Sequence, residues 1–88
     1  MYELIIEGRV QGVFFRAYVK DIAIKMDVRG YVENMSDGTV RIIGDLNEQN
    51  LSEFIDKIYS APLPIRTNKI LISKTNEEYY DSKFIIKH

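Results

Sequence analysis

Cysteine is absent from the chain, which excludes disulfide staples, thiolate nucleophiles and sulfur-ligated metal centres, and fits a reducing compartment. Histidine occurs once, at His88, and no serine sits in a nucleophile-elbow pattern, so Ser-His-Asp chemistry lacks its residues. An excess of one charge is lacking as well: 12 Lys and Arg against 13 Asp and Glu give a net charge of −1. A nucleic acid or an anionic membrane surface demands a basic face, so neither is expected as a partner, and any anion site has to be local. No apolar run approaches the roughly 20 residues that span a bilayer. The opening Met1-Tyr2-Glu3-Leu4 has neither the basic stretch nor the long apolar stretch of a signal peptide, and a cytoplasmic protein is expected. Asp and Glu are scattered, which reads as solvated surface; no metal site and no cofactor are expected.

What is present is enough for one compact core. With 88 residues, 45% of them hydrophobic and 28% charged, the expectation is a single domain over 1–88 without linkers or low-complexity tracts. Tyr2 to Val10 alternates as a strand, Tyr2, Leu4 and Ile6 on one face and Glu3, Ile5 and Glu7 on the other. From Phe15 to Met26 the period changes, and Phe15, Val19, Ile22, Ala23 and Met26 form the apolar face of a helix opposite Lys20, Asp21 and Lys25. Arg29–Glu33 and Thr39–Ile43 flank an Asp37-Gly38 reversal and read as a hairpin. Asn47 offers an N-cap for a second helix carrying Leu51, Phe54, Ile55, Ile58 and Tyr59, which Pro62 and Pro64 terminate. Lys69–Lys74 is a further strand, 75–81 a polar loop and Lys83–Lys87 a last short strand. Two helices with one apolar face each pack side by side on one face of a sheet. The order therefore predicts a ferredoxin-like βαββαβ sandwich: α+β, an antiparallel sheet with both helices on one face, plus a short extra C-terminal strand.

The stretch with chemical promise is Gly8-Arg9-Val10-Gln11-Gly12-Val13-Phe14-Phe15-Arg16, where a strand ends, two glycines intervene and a helix begins. Glycines there let successive backbone N–H groups turn toward one point, and the helix start adds unpaired donors. Arg16 stands one turn in, where a guanidinium forks onto two oxygens of a phosphate or carboxylate. The stretch lacks the Gly-Lys-Ser/Thr ending of a nucleotide-triphosphate loop, and no strand-borne Asp stands ready for magnesium, so nucleotide hydrolysis is not expected. A cradle, an arginine and Asn34 beside the hairpin turn do suffice for transfer of a phosphoryl group to water, which needs charge stabilisation and a placed nucleophile. A carboxylate leaving group departs without a proton, so a mixed carboxylic-phosphoric anhydride fits a site without a general acid better than a phosphate ester does.

These nine residues resemble the G-x-V-Q-G-V-x-F-R signature of acylphosphatases. Gly30-Tyr31-Val32-Glu33-Asn34, followed by Asp37-Gly38-Thr39-Val40, is similar to that family's second motif, and Phe84-Ile85-Ile86-Lys87 to its last strand. The resemblance covers nearly the whole chain. It implies metal-independent hydrolysis of a small acyl phosphate to a carboxylate and inorganic phosphate on the ferredoxin-like fold; separately, since small members of such folds can be monomers, a monomer is expected. By position it implies that the amides of Gln11, Gly12, Val13, Phe14 and Phe15 hold the phosphate with Arg16, and that Asn34 orients the attacking water. Arg16 and Asn34 are thus the expected catalytic residues. Asp27 stands where such a chain usually has a helix-ending glycine, Leu46 where it often has glycine, and the stretch around Tyr79-Tyr80-Asp81 does not align cleanly. Phe14 and Phe15 are expected as packing groups, with Phe14 bordering the mouth of the site, and His88 is expected to be irrelevant. The rival readings are an RNA-binding module, for which Arg29-Gly30-Tyr31-Val32 is a faint echo, and a carbamoyl-phosphate-handling domain of a larger assembly.

Overall fold

The computed structural model describes residues 1–77 and 82–88. The elements follow the expected order: β1 (Tyr2–Arg9), α1 (Phe15–Lys25), β2 (Gly30–Asn34), β3 (Val40–Gly44), α2 (Glu48–Tyr59), β4 (Arg66–Lys74) and β5 (Phe84–Lys87). The sheet runs β4-β1-β3-β2-β5. The pairs β1–β3, β1–β4 and β2–β3 are antiparallel, as the ferredoxin-like reading requires. The extra strand β5 adds parallel to β2, which makes the complete sheet mixed. The polar loop expected over 75–81 lies partly outside the described residues, and Tyr79, Tyr80 and Asp81 lie outside them altogether.

Alternation along the strands sorts the two faces. Leu4 and Ile6 of β1, Val32 of β2, Val40 and Ile42 of β3 and Phe84 of β5 are buried in the main core, where they meet Phe15, Val19, Ile22 and Ala23 of α1 and Phe54 and Ile58 of α2. The predicted apolar stripes are thus the packed ones, except that Tyr59 at the end of α2 is half exposed. The Tyr18 hydroxyl donates to the carbonyl of Lys57 at 2.7 Å and pins α1 to the last turn of α2. On the opposite face Arg41 donates to Glu3 at 2.7 Å, Glu33 at 3.2 Å and Glu77 at 3.0 Å. Burial alone would lower the pKa of that guanidinium, but the hydrogen bond to Glu3 and the surrounding negative groups outweigh it and raise it. Tyr31, hydrogen-bonded to Glu77, is pushed up to about 12, first by burial and then by that bond. Three carboxylates, those of Glu3, Glu33 and Glu77, are therefore committed behind the sheet, away from the helices.

Local chemistry sets the connections. Asp37 accepts from the Thr39 amide at 3.0 Å and hydroxyl at 2.6 Å, which closes the β2–β3 turn and holds its carboxyl below the usual range. Asn47 caps α2 by accepting from the Asn50 amide at 2.8 Å. Leu46 is buried in the core, so the side chain present instead of glycine is used for packing.

Asp27 takes the left-handed conformation itself, at φ 57°. Its amide donates to Ile24 at 3.2 Å and that of Val28 to Ala23 at 2.8 Å, the paired bonds of a Schellman ending that usually employs glycine. An Asp there carries a Cβ penalty that glycine avoids, offset in part by the entropy glycine loses on folding. Asp27→Gly is therefore expected to stabilise the protein by about 1 kcal/mol, a rise of roughly 4–8 °C in thermal midpoint for a chain of this size. A calorimetric scan showing a lower midpoint would contradict this account of the helix ending.

Candidate active site

Three segments converge beside the start of α1: the end of β1 with the loop after it, the end of β2, and the end of β5. The first is shaped by backbone approach. At Gly8 the β1–β4 register shifts, and a Cβ would stand 2.1 Å from the backbone oxygen of Arg66, so only glycine lets β4 pass this close. The chain then curls back through positive φ at Gly12 (72°) and again at Phe14 (62°) before α1 starts. Such reversals turn successive N–H groups inward as an anion-binding concavity.

The helix end completes it. The first amides of α1 have no carbonyl one turn back, no side chain caps them, and the first turn carries no acid. Helix α2 has both a capping Asn47 and Glu48 in its first turn, so the open, positive end is particular to α1.

The loop residues divide by task. Phe15 is 1% exposed and anchors the start of α1 in the core, as expected of a packing group. Phe14 is 88% exposed, so it packs nothing and stands at the cavity mouth instead. Val13 packs against the core and Gln11 points elsewhere; neither lines the cavity. The Gln11 side chain donates to the carbonyls of Met35 and Thr39, at 2.8 Å each. It thereby fastens the loop to both sides of the hairpin turn, immediately beyond Asn34.

Asn34 ends β2 and lies exposed, two residues beyond core-facing Val32 and so on the helix-bearing face. In β5 the register pairs Val32 with Ile86 and Glu33 with Lys87, and one further step brings His88 abreast of Asn34. Arg16 reaches the same place from α1, its Nη1 3.3 Å from Nδ1 of His88. Arg16, Asn34 and His88 line one cavity of about 290 Å³ together with Gly12, Phe14 and Ile86. Among its described lining residues there is no Asp or Glu side chain to repel a phosphate or protonate a leaving group. Nor do any three His, Asp or Glu side chains among the described residues form a group that could hold a metal ion.

Of the expected site residues, Arg16, Asn34, Gly12, Phe14 and Phe15 line this cavity, while Gln11 and Val13 flank it. Two contributions escaped the sequence. The tie made by the Gln11 side chain depends on a hairpin folding back over it, and His88 arrives only through the parallel pairing of β5. No local signal marks either.

Comparison with known proteins returns acylphosphatases among the curated relatives and, among the solved structures, both acylphosphatases and HypF, of which the match covers 12%. A family model described as acylphosphatase matches residues 2–86. An acylphosphatase of Thermotoga maritima is 35% identical over 83 residues, 94% of this chain and 91% of its own length. One from Ligilactobacillus salivarius is 41% identical over 81 residues, covering 91% of this chain and 90% of its own. The crystal structure of acylphosphatase from Bacillus subtilis superposes with a TM-score of 0.88 at 30% identity, covering 99% of this chain and 97% of that one.

Proposed function

The chain belongs to the acylphosphatase family and hydrolyses acyl phosphates, and from that premise we propose that Arg16 with the amides of residues 11–15 holds the transferring phosphoryl group while Asn34 places the water. The observation that carries this division is the convergence of an uncapped helix start, an arginine and a neutral amide side chain on one cavity. The amides and the guanidinium meet the equatorial phosphoryl oxygens, where charge is carried in the transition state. Asn34 bears no charge, so it binds water beside a dianion without repelling it. The water oxygen forms its bond to phosphorus as the bond from phosphorus to the carboxylate oxygen breaks. The electron pair leaves with the carboxylate, and the water proton is released with inorganic phosphate. A carboxylate needs no proton to depart, so a cavity without an Asp or Glu side chain among its described lining suffices.

The test is hydrolysis of benzoyl phosphate followed by ultraviolet absorbance in the presence of EDTA. Turnover well above background, inhibited competitively by inorganic phosphate, is expected, because product and substrate share the cradle. Loss of activity on chelation would refute the metal-independent division of roles. Cytoplasmic location, a monomeric state and a single domain over residues 1–88 belong to the same proposal. It is supported by the cysteine-free composition and by a site assembled from segments of a single chain.

A further inference from the structure

We propose that Phe14 determines which acyl group the site prefers: its exposed ring receives the flat apolar face of an aromatic acyl group, so that aromatic acyl phosphates bind better than short ones. The proposal rests on the reading of residues 11–16 as the phosphoryl site, and it concerns the half of the substrate that those amides and Arg16 do not hold.

Two unfavourable features coincide at this residue. Phe14 is 88% exposed, more than any other large apolar side chain among the described residues, the next being Leu63 at 77%. It also holds φ at 62°, a region that a bulky side chain rarely enters. The reversal explains the backbone but not the ring, because Gly12 makes a similar turn at φ 72° without a side chain, and glycine at position 14 would do so with less strain. Packing does not explain the ring either, since the adjacent Phe15 is the one that fills the core. An aromatic face turned to solvent at a cavity mouth has a use when an apolar part of a ligand covers it.

The ring stands on a fixed base. The Phe14 carbonyl accepts the first bond of α1, from the Tyr18 amide at 3.1 Å, and the next residue is anchored in the core. Ala17 and Ile86 line the same cavity, so the surroundings of Arg16 include an apolar rim on which no second Lys or Arg stands. In-line displacement sets the departing carboxylate oxygen across phosphorus from the attacking water. With the water at Asn34, on the sheet, the acyl group extends toward the loop and the mouth, where Phe14 stands. Contact between the two apolar faces is made before and during the reaction alike, so it lowers KM and leaves kcat to the phosphoryl site.

The experiment measures kcat and KM for benzoyl phosphate and acetyl phosphate, and the inhibition constant of inorganic phosphate, in the parent, Phe14→Ala, Phe14→Leu and Phe14→Tyr. The parent is expected to show a KM for benzoyl phosphate about tenfold below that for acetyl phosphate. Phe14→Ala should narrow that ratio about three- to tenfold, Phe14→Leu should narrow it less, and Phe14→Tyr, which keeps the ring, should hold it within about twofold. A general disturbance of the loop amides weakens both substrates and inorganic phosphate together and cancels in the ratio. A parent that does not distinguish the two substrates, a ratio unchanged in Phe14→Ala, or a ratio narrowed as far by Phe14→Tyr as by Phe14→Ala would overturn the proposal while the phosphoryl site stands. A parent that hydrolyses neither substrate and is not inhibited by phosphate would overturn the reading of the site and the role of Phe14 with it.

Discussion

Arg16→Ala is expected to abolish measurable inhibition by inorganic phosphate and to lower kcat/KM by about a thousandfold or more, with the thermal midpoint almost unchanged. Removing one preorganised donor from an oxyanion site costs roughly 3–4 kcal/mol of transition-state stabilisation, already several-hundredfold in rate. In the proposed mechanism Arg16 supplies more than one donor and a full charge to the group that carries charge in the transition state. No other Lys or Arg side chain lines the cavity among its described residues, so no second guanidinium or ammonium takes over. The fold has little to lose, since Arg16 is only partly buried and its protein partner is the exposed His88. Arg16→Lys keeps the charge but not the fork and should recover only part of the loss. An Arg16→Ala enzyme with near-parent kinetics would remove the centre of the proposed mechanism.

Asn34→Ala should separate binding from turnover. Phosphate inhibition is expected to stay within about twofold of the parent while kcat falls about a hundredfold to a thousandfold, the usual effect of losing one transition-state contact. The structure supplies the reason for the separation. Asn34 is exposed at the end of β2, its strand pairing with Val40 is a backbone matter, and Gln11 still clamps Met35 and Thr39 beside it. The loop proposed to bind phosphate is therefore expected to keep its shape when the amide side chain is removed. A fall in phosphate affinity as large as the fall in kcat would mean that Asn34 binds the phosphoryl group instead of water.

The residues most legible in the sequence were those whose roles are local. Gly8 and Gly12 announced a chain reversal, Asn47 a helix start and Asp37-Gly38 a turn, because each depends on a few neighbouring dihedrals. Strand lengths were less legible. The strand read over Lys69–Lys74 begins at Arg66, since pairing with β1 carries it past the register shift at Gly8, and that depends on a partner some sixty positions away. Phe14 and Phe15 are alike in composition and adjacent, yet one is core and the other nearly all exposed. The positive φ at Phe14 decides which is which, and no property of the side chains encodes it.

The sequence by itself determined the order of elements, the side of the sheet that takes the helices, and the chemistry available at the Gly8–Arg16 stretch. These follow from periodicity, from glycine's freedom and from residue types absent everywhere. Only the tertiary structure decided what stands around Arg16. Strand β5 joins the sheet parallel to β2, and the two-residue alternation of both strands then turns Asn34 and His88 to the same face, beside the open end of α1. Residues 16, 34 and 88 share a cavity because of sheet register, a pairing between distant segments that no local pattern in the chain specifies.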